Sequence, residues 1–278
     1  MFEGLVWQKD RLLYNQLVFR LQHYKSDDWD LGDDCFVFYK IKHLVDQYAD
    51  FFATRNFTCE RLFELGMWEG GSLAFWFEAF RPKKIVGIDL ADRADSPYFL
   101  RYTSENNLRE RVKAYWGVNQ ADKQRVREIA RKEFDGPLDL VIDDASHIYA
   151  PTVSSFETLF PLIRPGGFYI IEDWAWEHWP SCFVDPARVN LVGLSDLVSE
   201  MVQAAGTSNS LINSVTVYEG FAAIERSKAA VPEEIVLKDF IVRRPRSEAA
   251  NATFSTRAVR RIKRTVRHLL NKDATPTQ

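Results

Sequence analysis

The sequence has few cysteines, no long apolar run and no low-complexity tract, and each absence excludes a class of protein. Its three cysteines are an odd number without CxxC spacing, which argues against a disulfide scaffold or a structural zinc site and fits a reducing compartment. Its apolar stretches are far shorter than the about 20 residues that cross a bilayer. The first residues lack a basic segment followed by an apolar run, so we expect no signal peptide and a cytoplasmic protein.

The composition is that of a globular protein with an uneven charge distribution. The 278 residues are 46% hydrophobic and 27% charged, which is enough to bury a sizeable core. The net charge is -3, but the residues from Arg243 onward carry ten basic and two acidic side chains. Their net charge of +8 leaves -11 for residues 1–242. This asymmetry predicts a separate partner for the basic end.

Short apolar runs alternate with helical patterns from residue 61 onward. The predicted strands are Arg61–Leu65, Lys84–Asp89, Arg111–Trp116, Leu138–Ile142 and Phe168–Ile171. The predicted helices are Ser72–Phe80, Lys123–Phe134, Thr152–Ile163 and Val189–Ala205, with Pro165-Gly166-Gly167 stopping the third. This alternation predicts an α/β fold with a mostly parallel sheet covered on both faces. Residues 215–218 and 221–224 predict a closing antiparallel hairpin.

Three regions follow from these patterns. Residues 1–60 are predicted to be a mostly helical segment, with helical spacing of apolar residues from Phe36 to Phe52. Residues 61–242 form the α/β domain. Residues 243–278 are predicted to be a basic linker followed by an amphipathic helix, Arg257–Leu270.

The segment Glu64–Ser72 follows the first predicted strand and is rich in glycine. In open α/β sheets ligands bind outside the carboxyl ends of the strands, and Gly66 and Gly70 would let the backbone approach a ligand there. A tight turn is the alternative. The spacing is not GxGxxG, which argues against a dehydrogenase. Asp89 ends the next strand, where a carboxylate accepts hydrogen bonds from ribose hydroxyls, so the pair predicts an adenosine-containing ligand.

The segment Asn119-Gln120-Ala121-Asp122 follows the third predicted strand. It would lie where an adenine or sulfonium group binds. It could equally cap the helix that begins at residue 123.

Acidic residues follow the fourth and fifth predicted strands. Asp144, Glu172 and Asp173 are predicted to meet at one sheet edge with nothing basic beside them, and such a cluster favours a hard divalent cation such as magnesium. His147 lies three residues after Asp144 and can act as a base near neutral pH. The alternative is that His147 caps a helix near residue 151 and that the acids are solvated.

These motifs together resemble the class I S-adenosylmethionine-dependent methyltransferases. More narrowly, they are similar to the metal-dependent macrolide-sugar O-methyltransferases and the related cephalosporin hydroxylase/rhamnosyl O-methyltransferase group. The resemblance covers about residues 60 to 180. Its segments are Glu64–Ser72, Asp89, Gln120–Asp122, Asp143–His147, Leu162–Gly167 and Ile171–Trp174.

The resemblance implies a Rossmann-like fold, a methyl donor, a metal and a base. It implies that Asp144, Glu172 and Asp173 bind Mg²⁺ and that His147 is the general base. The methyl donor, S-adenosyl-L-methionine, is expected at Glu64, Gly66, Gly70, Ser72, Asp89, Asn119, Gln120, Asp122 and Asp143.

The expected function is magnesium-dependent methylation of a sugar hydroxyl on a glycan or glycosylated natural product. A catechol-type phenolic acceptor and a non-catalytic binding protein on the same scaffold are the alternatives. The run Trp174–Trp179 predicts either stacking on the acceptor or, alternatively, a hydrophobic lid or core contact. For His178 it predicts either a polar contact or a packed side chain.

Residues 257–272 predict binding to an anionic membrane surface, at the inner face of the membrane, or to an acidic protein partner. No reader motif or basic aromatic platform points to nucleic acid. Assembly into a homo-oligomer is left open.

Overall fold

The computed structural model describes residues 1–21, 34–180, 191–207 and 210–241. The strands in these ranges are β1 (Val6–Trp7), β2 (Arg11–Tyr14), β3 (Leu17–Leu21), β4 (Phe36–Phe38), β5 (Arg61–Leu65), β6 (Lys84–Ile88), β7 (Val112–Tyr115), β8 (Leu138–Asp143), β9 (Ile163–Glu172), β10 (Ile212–Val217) and β11 (Phe221–Arg226). The α-helices are α1 (Lys42–Ala53), α2 (Gly71–Phe80), α3 (Pro97–Glu105), α4 (Lys123–Glu133), α5 (Tyr149–Leu159) and α6 (Leu194–Ala205).

A seven-stranded sheet runs in the order β10-β11-β9-β8-β5-β6-β7. Strands β5 to β9 are parallel, and β11 pairs antiparallel with both β9 and β10. Strands β5, β6 and β8 are short apolar runs buried on both faces, because helices cover the sheet on each side. The predicted α/β class, the mostly parallel sheet and the C-terminal hairpin are therefore confirmed.

The predicted mostly helical character of residues 1–60 is wrong. The described part of this segment contains four strands, in the order β1-β2-β3-β4, and one helix, α1. The helical spacing that starts at Phe36 merges two elements, because residues 36–38 form β4 and the helix begins only at Lys42. The Phe36 ring stacks on Phe19 of β3 at 5.5 Å between centroids, which fixes β4 as a buried strand.

Several helix boundaries also differ from the prediction, and α6, for example, begins at Leu194. Helix α5 begins at Tyr149 and ends at Leu159, followed by one 3₁₀ turn, Phe160–Leu162. The sequence Pro165-Gly166-Gly167 lies inside β9 instead of stopping the helix. The predicted linker and basic helix of the last residues lie outside the described ranges.

The N-terminal strands and α1 share a core with the central sheet. Tyr48 and Phe51 of α1 are fully buried and belong to the same apolar cluster as Phe75 and Trp76 of α2. The compact unit formed by residues 1–241 includes the N-terminal strands. No helix within the described ranges is long and apolar enough to span a membrane.

Candidate active site

The order of the sheet reverses between β5 and β8, and their carboxyl ends open on one edge. The backbone N–H of Asp144 donates to the carbonyl oxygen of Leu65 at 2.9 Å. This hydrogen bond holds the loop that follows β8 against the end of β5, where the glycine-rich loop begins. Gly66 has a φ of +81°, and a Cβ there would lie 2.2 Å from the carbonyl oxygen of Asp144. Gly70, with a φ of +82°, is the N-cap residue of α2, which begins at Gly71. The loop therefore requires glycine both for its conformation and for its close contact.

Glu64 and Ser72 place buried polar atoms beside this loop. Glu64 is fully buried, and its Oε1 accepts a hydrogen bond from Trp76 Nε1 at 3.0 Å. Its Oε2 and the Ser72 hydroxyl are buried without a well-formed hydrogen bond among the described residues, although the hydroxyl lies close enough to Glu64 to lower the pKa of that carboxyl. Burial raises the pKa of Glu64 to about 8. Buried polar atoms without a well-formed hydrogen bond are expected where a polar ligand binds, so the two side chains fit the predicted donor site.

Asp89 ties the glycine loop to the end of β6. Its Oδ2 accepts from the backbone N–H groups of Met67 at 3.1 Å and Trp68 at 2.8 Å. Its Oδ1 accepts from the N–H of Ala91 at 2.8 Å. Asp89 thus shapes the loop, and its contact with a ribose stays a prediction.

The segment that follows β7 caps α4. Asp122 accepts a hydrogen bond from the backbone N–H of Arg125 at 3.0 Å as the N-cap residue of that helix. Asn119 accepts from the N–H of Ala121 at 2.8 Å. The capping alternative is confirmed for Asp122, while donor contacts for Asn119 and Asp122 stay predictions.

Gln120 and Asp143 belong to a buried network. The Gln120 amide donates to Asp143 at 3.2 Å, and its oxygen accepts from the N–H of Ser146 at 2.8 Å. Asp143 also accepts from the Tyr169 hydroxyl at 2.5 Å and the Ser155 hydroxyl at 2.9 Å. Burial raises the pKa of Asp143 to about 6, although the two hydroxyls oppose the shift. These contacts brace the loop beneath the site, and a direct contact with the donor stays a prediction.

The acidic residues that follow β8 and β9 meet. One potential ligand atom each from Asp144, His147 and Asp173 lies within 4.8 Å of the other two. His147 Nε2 is 3.8 Å from Asp144 Oδ1. Burial, followed by the charge of Asp144, raises the pKa of Asp173. Two distant stretches of sequence thus form one acidic pocket beside an imidazole.

The backbone at this pocket is strained in two places. His147 has a φ of +55° and Asp173 a φ of +52°, in the left-handed region that disfavours side chains with a Cβ. Trp176 Nε1 donates to the His147 carbonyl at 2.6 Å, and the Asp173 N–H donates to the Gly220 carbonyl at 2.9 Å. Strain held by such contacts concentrates at functional sites.

The prediction that nothing basic lies beside the carboxylates is wrong. Lys40, 4% exposed, places Nζ 2.8 Å from Asp144 Oδ2 and 2.7 Å from Glu172 Oε2. The Tyr48 hydroxyl donates to Glu172 Oε1 at 2.8 Å. Burial opposes the charge of Lys40, but Asp144 and Glu172 raise its pKa above the ordinary value. Neither Lys40 nor Tyr48 stands near the acids in sequence, and no spacing pattern points to them.

The tryptophan-rich run lies against the protein interior. Trp176 is 4% exposed, and Trp174 is half-buried, packs against an apolar core cluster and donates from Nε1 to the Tyr218 carbonyl at 2.8 Å. The core-contact alternative is therefore confirmed for these two residues. The His178 side chain is exposed and is not packed as the alternative for it proposed.

The side chains at this edge suit a divalent cation. Carboxylate oxygens from two strand ends converge beside one imidazole, and the oxygen ligands are the type that magnesium prefers. Lys40 and Tyr48 each donate a hydrogen bond to one oxygen of Glu172. Glu172 is therefore linked to Asp144 through the ammonium group of Lys40.

Comparison with known families agrees with this arrangement. A family model described as a methyltransferase domain matches residues 63–174, which contain the glycine loop and the acidic pocket. Over these residues the chain is similar to the methyltransferases. The matched residues run from β5 to the residue after Asp173, so the matched region contains every residue predicted to bind the donor or the metal.

Two curated relatives of this chain are named for sugar methylation. The 8-demethyl-8-alpha-L-rhamnosyl tetracenomycin-C 2'-O-methyltransferase of Streptomyces olivaceus is 35% identical over 138 residues, which cover 49% of this chain and 33% of that protein. The mycinamicin VI 2''-O-methyltransferase of Micromonospora griseorubida is 37% identical over 127 residues, which cover 43% of this chain and 28% of that protein. The matches thus span about a third of the relatives' length.

A solved structure has a fold similar to that of this chain. The MycE methyltransferase from the mycinamycin biosynthetic pathway, in complex with Mg, SAH and mycinamycin VI, is 30% identical with a TM-score of 0.51. The match covers 70% of this chain and 53% of that one.

Proposed function

We propose that this protein is a magnesium-dependent O-methyltransferase that transfers a methyl group from S-adenosyl-L-methionine to a sugar hydroxyl of a glycan or a glycosylated natural product. The observation that carries the proposal is the pocket of Asp144, His147 and Asp173 beside the glycine loop. The names of the relatives support a sugar acceptor and a bound magnesium ion.

The donor side of the reaction is assigned to the loop after β5. S-adenosyl-L-methionine supplies a methyl group that its sulfonium already activates. Glu64 Oε2 and the Ser72 hydroxyl offer buried polar atoms to the donor, and Gly66 keeps the loop close to Asp144. The work left to the chain is alignment of the two reactants, which alone lowers a barrier by several kcal/mol.

The acceptor side is assigned to the acidic pocket. Asp144, Glu172 and Asp173 would hold magnesium, which when bound supplies positive charge next to a developing alkoxide. His147 accepts the proton of the sugar hydroxyl at Nε2. A positioned general base contributes about 10²–10⁴-fold to a rate, which a weakly acidic sugar hydroxyl needs.

Methyl transfer to rhamnosylated tetracenomycin and to mycinamicin VI tests the proposal. His147→Ala and Asp144→Ala should each lower turnover at least about 100-fold, since one loses the base and the other a metal ligand. His178→Ala is the control, because that exposed histidine should leave turnover unchanged. Wild-type turnover in both pocket variants would show that the assignment is wrong.

Titration calorimetry separates this proposal from its alternatives. S-adenosyl-L-methionine should bind without magnesium, whereas sugar methylation should require the metal. Absence of donor binding would favour a non-catalytic binding protein. Turnover of catechol but neither glycoside would favour a phenolic acceptor.

The basic C-terminal residues are proposed to associate with a negatively charged surface. The ten basic residues from Arg243 onward support this proposal, as does the opposite net charge of residues 1–242. Sedimentation with anionic vesicles, with and without residues 257–272, tests for a membrane. Equal sedimentation of both chains would exclude the membrane and leave an acidic protein partner.

A further inference from the structure

Lys40 is a buried ammonium group inside an acidic pocket. It lies between β4 and α1, outside the residues matched by the methyltransferase family model. Its Nζ bridges Asp144 and Glu172 and also lies 5.5 Å from the centroid of the Trp76 ring. A lysine this deeply buried is rare unless it is paired, and here both partners belong to the proposed metal site.

The charges of the pocket explain why a cation is held there. Asp144, Glu172 and Asp173 lie together at the ends of two neighbouring strands, and ionised carboxylates in such positions repel one another. Burial removes the water that would screen them. Lys40 neutralises part of this charge, so the pocket can form without a metal ion.

We propose that Lys40 is an internal counter-ion that holds Asp144 and Glu172 in place in the metal-free protein and competes with the divalent cation for them. The inference rests on the metal site in the proposed function. It makes Lys40 a positioning residue and makes the N-terminal segment part of the active site.

The contacts indicate competition. Lys40 occupies one oxygen of each acid, and Tyr48 occupies the other oxygen of Glu172. Each Glu172 oxygen keeps a second lone pair, so Glu172 can become a ligand only with the metal ion close to these donors. A metal ion that shares Asp144 would also lie within a few ångströms of the ammonium, and like charges at that separation repel strongly in a buried site.

The binding of Mn²⁺ to the purified full-length chain, followed by electron paramagnetic resonance, tests the proposal without measuring turnover. Lys40→Met should bind Mn²⁺ at least about tenfold more tightly, because a repelling charge is lost. Lys40→Arg keeps the charge and should stay within about threefold of the wild type.

Lys84→Met is the matched control. Lys84 is also largely buried, and its Nζ lies 2.6 Å from Glu133, but it stands at the start of β6, away from the carboxyl ends. Its loss should lower stability and leave Mn²⁺ affinity unchanged.

Thermal unfolding provides a second measurement. Lys40→Met should unfold at a lower temperature than the wild type without metal, and saturating Mn²⁺ should remove that difference. Added Mn²⁺ should not remove the difference between Lys84→Met and the wild type. If Lys40→Met is unfolded without metal, circular dichroism should show that Mn²⁺ restores its fold.

Each remaining outcome contradicts a specific claim. Equal or weaker Mn²⁺ binding by Lys40→Met, or an unfolded variant that Mn²⁺ does not restore, would overturn the counter-ion role alone. Failure of the wild type to bind Mn²⁺ would instead overturn the metal site of the proposed function, and the competition at Lys40 with it.

Discussion

Glu64 is a carboxyl group shielded from water, and this shielding gives the protein a pH-dependent stability. Burial raises its pKa to about 8 in the folded protein, against 4.5 for an ordinary glutamate. Between these values the folded chain keeps a proton that the unfolded chain has released. Stability contributed by Glu64 is therefore complete below about pH 4.5 and is lost as the pH rises to about 8.

Glu64→Gln should remove this dependence, because an amide does not titrate. Relative to the wild type, the variant should gain on the order of 3 kcal/mol of unfolding free energy between pH 4 and pH 8. Urea unfolding of both proteins at the two pH values measures the difference. A variant-minus-wild-type difference that is constant with pH would contradict the protonated state of Glu64.

Single residues also mark the limit of what the sequence could predict. The sequence predicts His147, Glu172 and Asp173 at the sheet edge because each follows or ends a recognisable strand. Lys40 was missed because its ion pairs join residues 104 and 132 positions apart, and no periodicity links such positions. Tyr48 was recognised only as an apolar position of a helix, since spacing reports a buried face and not the contact of a hydroxyl group.

The loop that joins β5 to α2 has a conformation that only glycine satisfies. Gly66→Ala would place a methyl group on a backbone with a φ of +81° and 2.2 Å from the Asp144 carbonyl oxygen. We expect a loss of about 2–5 kcal/mol of unfolding free energy, together with weaker binding of S-adenosylhomocysteine. Chemical denaturation and titration calorimetry measure the two effects.

Gly117→Ala is the matched control for this loop. Gly117 also has a positive φ, +66°, but a Cβ there would meet no atom within 4 Å. Gly117→Ala should lower the free energy of unfolding by about 1–2 kcal/mol, from backbone strain alone. Equal losses at both positions would show that the contact with Asp144 contributes nothing.

Elements were predictable where their patterns were simple. The buried strands β5, β6 and β8 are short apolar runs followed by glycine or an acid, and the sequence predicts all three together with the apolar second half of β9. Strands β1 to β4 have two to five residues each, with mixed side chains and no clear alternation. Their pairing is set by packing on α2 and α3, which sequence periodicity does not report.

On the scale of the whole molecule, the N-terminal segment and the central sheet stabilise each other. Phe19 of β3, Phe38 of β4 and Phe75 of α2 pack in one aromatic cluster, and all three side chains are buried. A chain that lacks residues 1–60 would expose this face of α2 to water. We therefore expect the shortened chain to show no cooperative thermal transition by circular dichroism.

A chain that ends at residue 242 is the control for that deletion. It keeps the whole compact unit of residues 1–241 and should keep the wild-type transition. A cooperative transition in the chain without residues 1–60 would mean that residues 61–241 fold independently.

The long sequence separation of the Lys40 ion pairs has a consequence for synthesis. Lys40 leaves the ribosome well before Asp144 and Glu172, and β9 is translated last among the parallel strands. Until β9 and β11 are made, Phe51 of α1 lacks its partner Phe168, and Tyr48 lacks its partner Phe221. Contacts between residues so far apart in sequence form slowly, and apolar surface stays exposed to aggregation until they form. We therefore expect this protein to depend on chaperones more than its size alone suggests.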